Sequence, residues 1–173
     1  MTHILLDAAG FQERLNWLAH QIAQRNVNGA DVLIVGIQLG GVHLAQRLAS
    51  KLSALWNRSV PYGVLDVSMH RDDLGNRATP LMRPTEIPGD LTGKTILLTD
   101  DVIFSGRTTR AALDALNDFG RPKCIQLAVM VDRGHRELPI TPDFVGLPVE
   151  TRVDQRVEVL FVEEAGRDEI QLV

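Results

Sequence analysis

One segment constrains this chain more than any other: Leu97-Leu98-Thr99-Asp100-Asp101-Val102-Ile103-Phe104-Ser105-Gly106-Arg107-Thr108-Thr109. The apolar stretch that leads into it, residues 95–99, reads as a buried strand that delivers two adjacent carboxylates at its carboxyl end. A short turn follows, then a helix that shows Ala112, Leu116 and Phe119 on one face and ends at Gly120, with Ser105 as its expected cap. A helix N-terminus presents free N–H groups and the positive end of a dipole. Gly106 lets the backbone approach an anion, and Ser105, Thr108 and Thr109 add hydroxyl donors beside Arg107. That combination cradles a phosphomonoester. Asp100 and Asp101 do not favour a phosphate, but they suit sugar hydroxyls, a magnesium shell or a developing cation. The plain alternative is a capped strand–turn–helix with a solvated acid pair. The length and order of the pattern favour a phosphorylated sugar.

The flanking sequence supplies a frame for this segment. Phe11, Leu15, Leu18 and Ile22 recur at helical spacing, which predicts a helix over 11–25 that Asn28-Gly29 breaks. Residues 32–35 form a continuous apolar run of the kind buried on both faces of a parallel sheet. A glycine-containing loop over 36–41 leads into a second amphipathic helix marked by Val42, Ala45, Leu48, Leu52 and Leu55. Further strands are expected over 60–67, 125–131 and 157–162. Residues 68–88 are polar and aperiodic, the character of a functional or mobile loop. Strands alternating with helices imply a doubly wound, mainly parallel α/β sheet, with ligands at the carboxyl ends of its strands. The glycine loop, Asp100-Asp101 and Asp132-Arg133 all follow strand ends and should converge.

Composition narrows the class. The 173 residues fit one domain, 1–173, and 45% of them are apolar, which excludes disorder. No apolar run reaches the roughly 18 residues of a membrane-spanning helix, and the start of the chain does not read as a signal peptide. Cys124 is the single cysteine, as in a reducing compartment, and the expected location is cytoplasmic. A net charge of −4 gives no global attraction for nucleic acid, so no DNA partner is expected and RNA would need a local basic patch.

The 97–109 segment resembles the phosphoribosyl diphosphate (PRPP) signature of type I phosphoribosyltransferases. Three further stretches make the resemblance more specific. Residues 65–74, with Arg71-Asp72-Asp73-Leu74, look like the flexible catalytic loop of the PyrR family. Residues 114–122 are similar to that family's next segment. Residues 125–140, which include Val131-Asp132-Arg133-Gly134-His135-Arg136-Glu137-Leu138-Pro139-Ile140, match its most recognisable stretch. The resemblance implies the type I phosphoribosyltransferase fold with a small hood. It implies a uracil phosphoribosyltransferase that forms UMP and pyrophosphate from uracil and PRPP with Mg²⁺. It also implies a role in regulating pyrimidine genes, responsiveness to UMP or UTP, and a homo-oligomer, dimer or tetramer.

On this reading Asp100 and Asp101 hold the ribose hydroxyls and orient Mg²⁺, and Arg71 assists the departing diphosphate. Thr99 and the Ser105, Gly106, Arg107, Thr108, Thr109 run bind the phosphoribosyl group. Leu39, Gly40 and Gly41 form the diphosphate loop, often built in this fold around a non-proline cis peptide. Asp132 and Arg133 line the base side.

The chain departs from the family where Leu39-Gly40 replaces the usual Thr-Arg, losing a hydroxyl and a guanidinium near the diphosphate. It departs again at Asn16-Trp17, Thr141 and Leu147, where basic residues are usual. Each loss removes a phosphate contact and weighs against RNA as a partner, although His20 is kept. Two further readings stay open: a nucleotide-responsive regulator, RNA- or protein-binding, with vestigial catalysis, and a transferase for a purine base. Trp17 and Trp56 read as helix packing, and Cys124 as structural.

Overall fold

The computed structural model describes residues 2–72 and 81–173. Asp73 and Leu74, at the end of the expected catalytic loop, lie outside the described residues.

The chain opens with a short strand, β1 (His3–Leu6), and a long helix, α1 (Ala8–Arg25). Helix α1 begins three residues before the apolar periodicity does. Asp7 is its cap, and the Asp7 carboxylate accepts the Gly10 N–H at 2.9 Å, satisfying an orphan donor of the first turn. Strand β2 (Val32–Ile37) is buried throughout and leads into α2 (Gly40–Trp56). Then come β3 (Tyr62–Leu65), the polar segment, β4 (Thr95–Ile103), α3 (Arg107–Leu116) and β5 (Cys124–Asp132). Four short elements finish the chain: β6 (Phe144–Pro148), β7 (Val157–Leu160), α4 (Val162–Ala165) and β8 (Glu169–Leu172).

Five strands pair in the order β3-β2-β4-β5-β6, and every pairing is parallel. Side chains alternate across this sheet, so it carries two cores. Ile34, Leu97, Ala128 and Met130 face α1 and α2, packed with Phe11, Leu15, Leu44 and Leu48. Leu33, Val35, Leu98 and Val129 face the other way, onto Ala111, Ala112, Ala115 and Leu116 of α3. Each fully buried Leu, Ile or Phe contributes about 1.5–3 kcal/mol of transfer free energy. From β2 the chain steps one way to β3 and the other way to β4. The switch point is therefore the crevice between the carboxyl ends of β2 and β4.

Several sequence expectations need correction. The strand expected over 157–162 does not join the parallel sheet; β7 pairs antiparallel with β8, and β8 with β1, as a separate three-stranded hood. Strands β1, β6 and β8 are not among the expected ones; each spans only four or five residues. β6 also contains Gly146 and ends in Pro148, as an edge strand can. Ser105 does not occupy the cap position of α3. Gly106, in the left-handed region at φ 92°, does. Trp56 packs on Gly29, whose φ of +61° and contact with the indole both demand glycine. Trp17, by contrast, is 45% exposed on α1 rather than packed away. Among the described residues, no helix is long and apolar enough to cross a membrane.

One cluster fastens the hood to the sheet. Arg47 of α2 lies over the touching rings of Phe11 and Phe161, 5.5 and 5.2 Å from their centroids. Its Nη2 donates to Glu163 at 2.6 Å and to Asp168 at 2.8 Å. Asp168 also accepts the Val162 N–H that opens α4, at 2.9 Å. Burial opposes ionisation of Asp168, but the Arg47 guanidinium and the Val162 N–H outweigh it, so its carboxyl titrates below the ordinary range.

Removing Arg47 strands that acid. Arg47→Ala should cost about 2–3 kcal/mol in denaturant unfolding, toward the low end for a broken buried pair because Glu163 stays half-exposed. Asp168 has a depressed folded pKa, so its stabilisation is complete above an unfolded value of about 4 and is lost as pH falls through the folded value. The gap between Arg47→Ala and the parent chain should therefore shrink at acid pH.

Candidate functional site

At the switch point the glycine loop meets the acid pair, while Asp132 and Arg133 lie outside the cleft lining. Strand β4 carries Asp100 and Asp101, and its continuation turns through Ser105-Gly106 into α3. A cleft of about 260 Å³ opens there, lined by Arg71, Asp100, Phe104 and the run from Ser105 to Thr109, with Glu137 at its edge. The first N–H groups of α3 have no intrahelical carbonyl to donate to, and they frame this cleft. The Arg107 N–H lies 3.4 Å from Ser105 Oγ. A tetrahedral anion fits such a collar of N–H and hydroxyl donors.

The glycine loop meets the acid pair directly. Its Gln38–Leu39 peptide bond is cis. A methyl group on Gly40 would run into the Asp101 carboxylate, and one on Gly41 into the Thr99 carbonyl oxygen. Thr99 is fully buried, and its hydroxyl donates to the Gly41 carbonyl at 2.8 Å. Thr99 thus fixes the loop instead of facing the cleft. Leu39 is 45% exposed at the loop tip.

Asp100 and Asp101 are close-packed acids in a poorly solvated place. Burial, and then the Asp101 charge, push the Asp100 carboxyl well above the usual carboxylate range, while Arg71 pulls the other way. Burial likewise raises Asp101, and the Glu164 carboxylate of α4 adds to that rise. A cation placed against the pair would relieve this repulsion. Among the described residues, no group of three or more His, Cys, Asp or Glu side chains could hold a metal ion unaided. Magnesium does not require one: it commonly takes one or two carboxylates and completes its shell with water and substrate oxygens. The donor chemistry at Asp100 and Asp101 fits that mode.

Other sequence candidates are already engaged. Arg107 donates from Nη1 to Asp72 and from Nε to Glu137, both at 2.9 Å. Asp132 pairs with Arg136 at 2.6 Å and accepts the Gly134 N–H at 2.9 Å. Arg133 is buried, 7% exposed, with its guanidinium over the Phe104 ring. Phe104 and Glu137 also line the cleft; both lie within segments the sequence marks, but neither carries a signal of its own. Glu164 and its partner His43, 2.9 Å apart, carry no local signal because α4 and α2 meet only in the folded chain.

Known proteins support the same frame. The phosphoribosyl transferase domain family matches residues 2–160. The chain is 50% identical to the bifunctional protein PyrR of Roseiflexus sp. over 94% of its length and 89% of the relative's. It is 49% identical to the bifunctional protein PyrR of Streptomyces coelicolor, covering 97% of this chain and 88% of that one. Among solved structures it resembles a hypoxanthine phosphoribosyltransferase of Trypanosoma cruzi, with a TM-score of 0.73, 16% identity, and coverage of 98% and 94%. A hypoxanthine-guanine phosphoribosyltransferase of Bacillus anthracis gives 0.68 at 21% identity, covering 85% and 83%. At these identities the likeness to the two structures is one of fold.

The two loop glycines should respond differently to a methyl group. Gly41→Ala meets backbone and should cost about 2–3 kcal/mol in unfolding measurements. Gly40→Ala meets a side chain that can swing away, so stability should change by less than about 1 kcal/mol. The displaced Asp101 carboxylate should instead weaken ribose 5-phosphate binding, measured by calorimetry.

Proposed function

This chain belongs to the PyrR branch of the phosphoribosyltransferase family, and from that membership we propose that residues 1–173 act as one uracil phosphoribosyltransferase domain. It transfers the phosphoribosyl group of PRPP to uracil, giving UMP and pyrophosphate. The observation that carries the reading is the cleft in which buried Asp100, with Asp101 next to it in the chain, stands beside a phosphate-sized collar of N–H and hydroxyl groups. A phosphate site alone would suit many ligands. A phosphate site joined to two carboxylates suits a phosphorylated sugar whose anomeric carbon becomes cationic.

The residues take the following roles. Gly106, Arg107, Thr108 and Thr109, with Ser105, hold the 5′-phosphate by backbone and hydroxyl donors. Asp100 and Asp101 accept hydrogen bonds from the ribose hydroxyls. As the bond from the anomeric carbon to diphosphate lengthens, positive charge spreads over the ring, and the two carboxylates stabilise it. Uracil N1 forms its bond to that carbon as diphosphate leaves, and the N1 proton passes to solvent. Arg71 and the N–H groups of the Leu39-Gly40-Gly41 loop face the departing diphosphate. Asp100 and Asp101 would hold magnesium, which when bound would supply charge neutralisation for the diphosphate. Positioning and electrostatics do the work, and no protein nucleophile is required. Cys124 is exposed at the start of β5, in contact with Thr95, and has no part in it.

The family's second role, control of pyrimidine genes, belongs to the same reading. UMP or UTP in this cleft is the signal such control needs. The apolar and neutral residues Trp17, Thr141 and Leu147 make an RNA face less suited to phosphates than a basic one. We place catalysis first for that reason, with assembly as a homo-oligomer.

With PRPP and magnesium, a panel of bases should yield UMP from uracil and little or no purine nucleotide. Asp100→Asn and Asp101→Asn should each lower kcat/KM by about 100-fold or more, and chelation of magnesium should abolish turnover. Folded protein that makes no UMP, or that prefers hypoxanthine, would overturn the assignment.

A further inference from the structure

We infer that Phe104 is the platform on which the nucleobase stacks, and that Arg133 is a positioning residue acting through it. The inference rests on the phosphoribosyl-transfer reading above. It concerns the part of the ligand which neither the acid pair nor the phosphate collar addresses.

Phe104 lies between these two groups in the chain and lines the same cleft. Its ring is held from two sides. The Arg133 guanidinium covers one face at 4.2 Å from the ring centroid. The His135 ring meets it edge-on, with centroids 6.0 Å apart and planes inclined by 64°. Its backbone is held too, because Arg136 Nη1 donates to the Phe104 carbonyl at 2.8 Å.

Arg133 is not placed to contact a ligand. Its Nη2 donates to the carbonyls of Arg152 and Val153, at 3.1 and 3.3 Å, and its Nε to Thr151 Oγ1 at 3.4 Å. Thr151 returns a hydrogen bond to the Arg133 carbonyl at 3.0 Å, and its own carbonyl lies 2.6 Å from His135 Nε2. One buried guanidinium therefore ties β5, the turn over 151–153 and the Phe104 ring together. A cation over an aromatic face is attracted to its electrons. The free energy spent here orders the ring before any ligand arrives, which lowers the cost of binding.

A rigid apolar ring offers a flat base an area to cover and no hydrogen bond. Stacking on an aromatic side chain is worth about 1–3 kcal/mol per base. Phe104 therefore contributes to affinity for the base and not for the sugar phosphate. This also reassigns Arg133 from direct base contact to support of the surface the base lies on.

Equilibrium binding tests this independently of turnover. UMP and ribose 5-phosphate are titrated by calorimetry into the intact chain and into Phe104→Leu, Phe104→Tyr and Arg133→Gln. Phe104→Leu should weaken UMP by about tenfold and leave ribose 5-phosphate within about twofold, which also shows that the cleft is folded. Phe104→Tyr should restore UMP. Arg133→Gln should weaken UMP in the same sense but by less, and should add little on top of Phe104→Leu, since the two act as a unit. If Phe104→Leu loses both ligands, Phe104→Trp replaces it: UMP should quench the new indole saturably while ribose 5-phosphate does not. Equal loss of both ligands in every folded variant, unchanged UMP affinity, no quenching, or fully additive effects would overturn the inference. Failure of the parent chain to convert uracil and PRPP to UMP would count against the transferase reading instead.

Discussion

The close approach of the 38–41 loop to strand β4 is the constraint on which the rest of the structure depends. Gly40 lies against the Asp101 carboxylate and Gly41 beneath the Thr99 carbonyl, with the Thr99 hydroxyl returning a hydrogen bond to Gly41. A side chain at 41 would meet backbone, and one at 40 would displace the Asp101 carboxylate. These contacts hold the start of α2 at the end of β4, where the sheet changes direction, and so create the crevice. The parallel pairing of β2 with β4 sets the height of one against the other, from Val32 opposite Thr95 to Gly36 opposite Thr99.

Charge is arranged around this crevice in two ways. At its floor, Asp100 and Asp101 are confined together with little water, a configuration that opposes their ionisation and is relieved by any cation, metal ion or developing oxocarbenium centre. Around it, arginines are matched with carboxylates: Arg107 with Asp72 and Glu137, and Arg136 with Asp132, as Arg47 is with Glu163 and Asp168 where the hood joins the sheet. The first arrangement keeps a site reactive toward positive charge. The second fixes long side chains that would otherwise lose entropy on binding.

The hood shows how distant parts of the chain reach the site. Its strands come from both ends of the sequence, His3–Leu6 and Glu169–Leu172, and pair antiparallel. Arg47 draws α4 down onto α2, and α4 carries Glu164 to His43 and into the electrostatic reach of Asp101. This line of contacts joins α2 to α4, more than a hundred residues apart in sequence, beside the acid pair.

Much of this was legible in the sequence. Continuous apolar runs marked β2, β4 and β5, because strands buried on both faces must be apolar throughout. The spacing of Phe11, Leu15, Leu18 and Ile22 marked α1, and the acid pair followed by Ser105-Gly106-Arg107-Thr108-Thr109 marked the proposed sugar-phosphate site. These are local patterns, in which neighbouring residues share one task. The short strands of the hood, the engagement of Arg107 by Asp72 and Glu137, and the covering of Phe104 by Arg133 were decided by the tertiary structure alone. Each depends on groups far apart in sequence whose meeting is set by sheet order and by packing, and no local pattern of residues encodes it. The chain's own residues thus determined what kind of ligand it handles, and the fold determined which side chains are left to touch it.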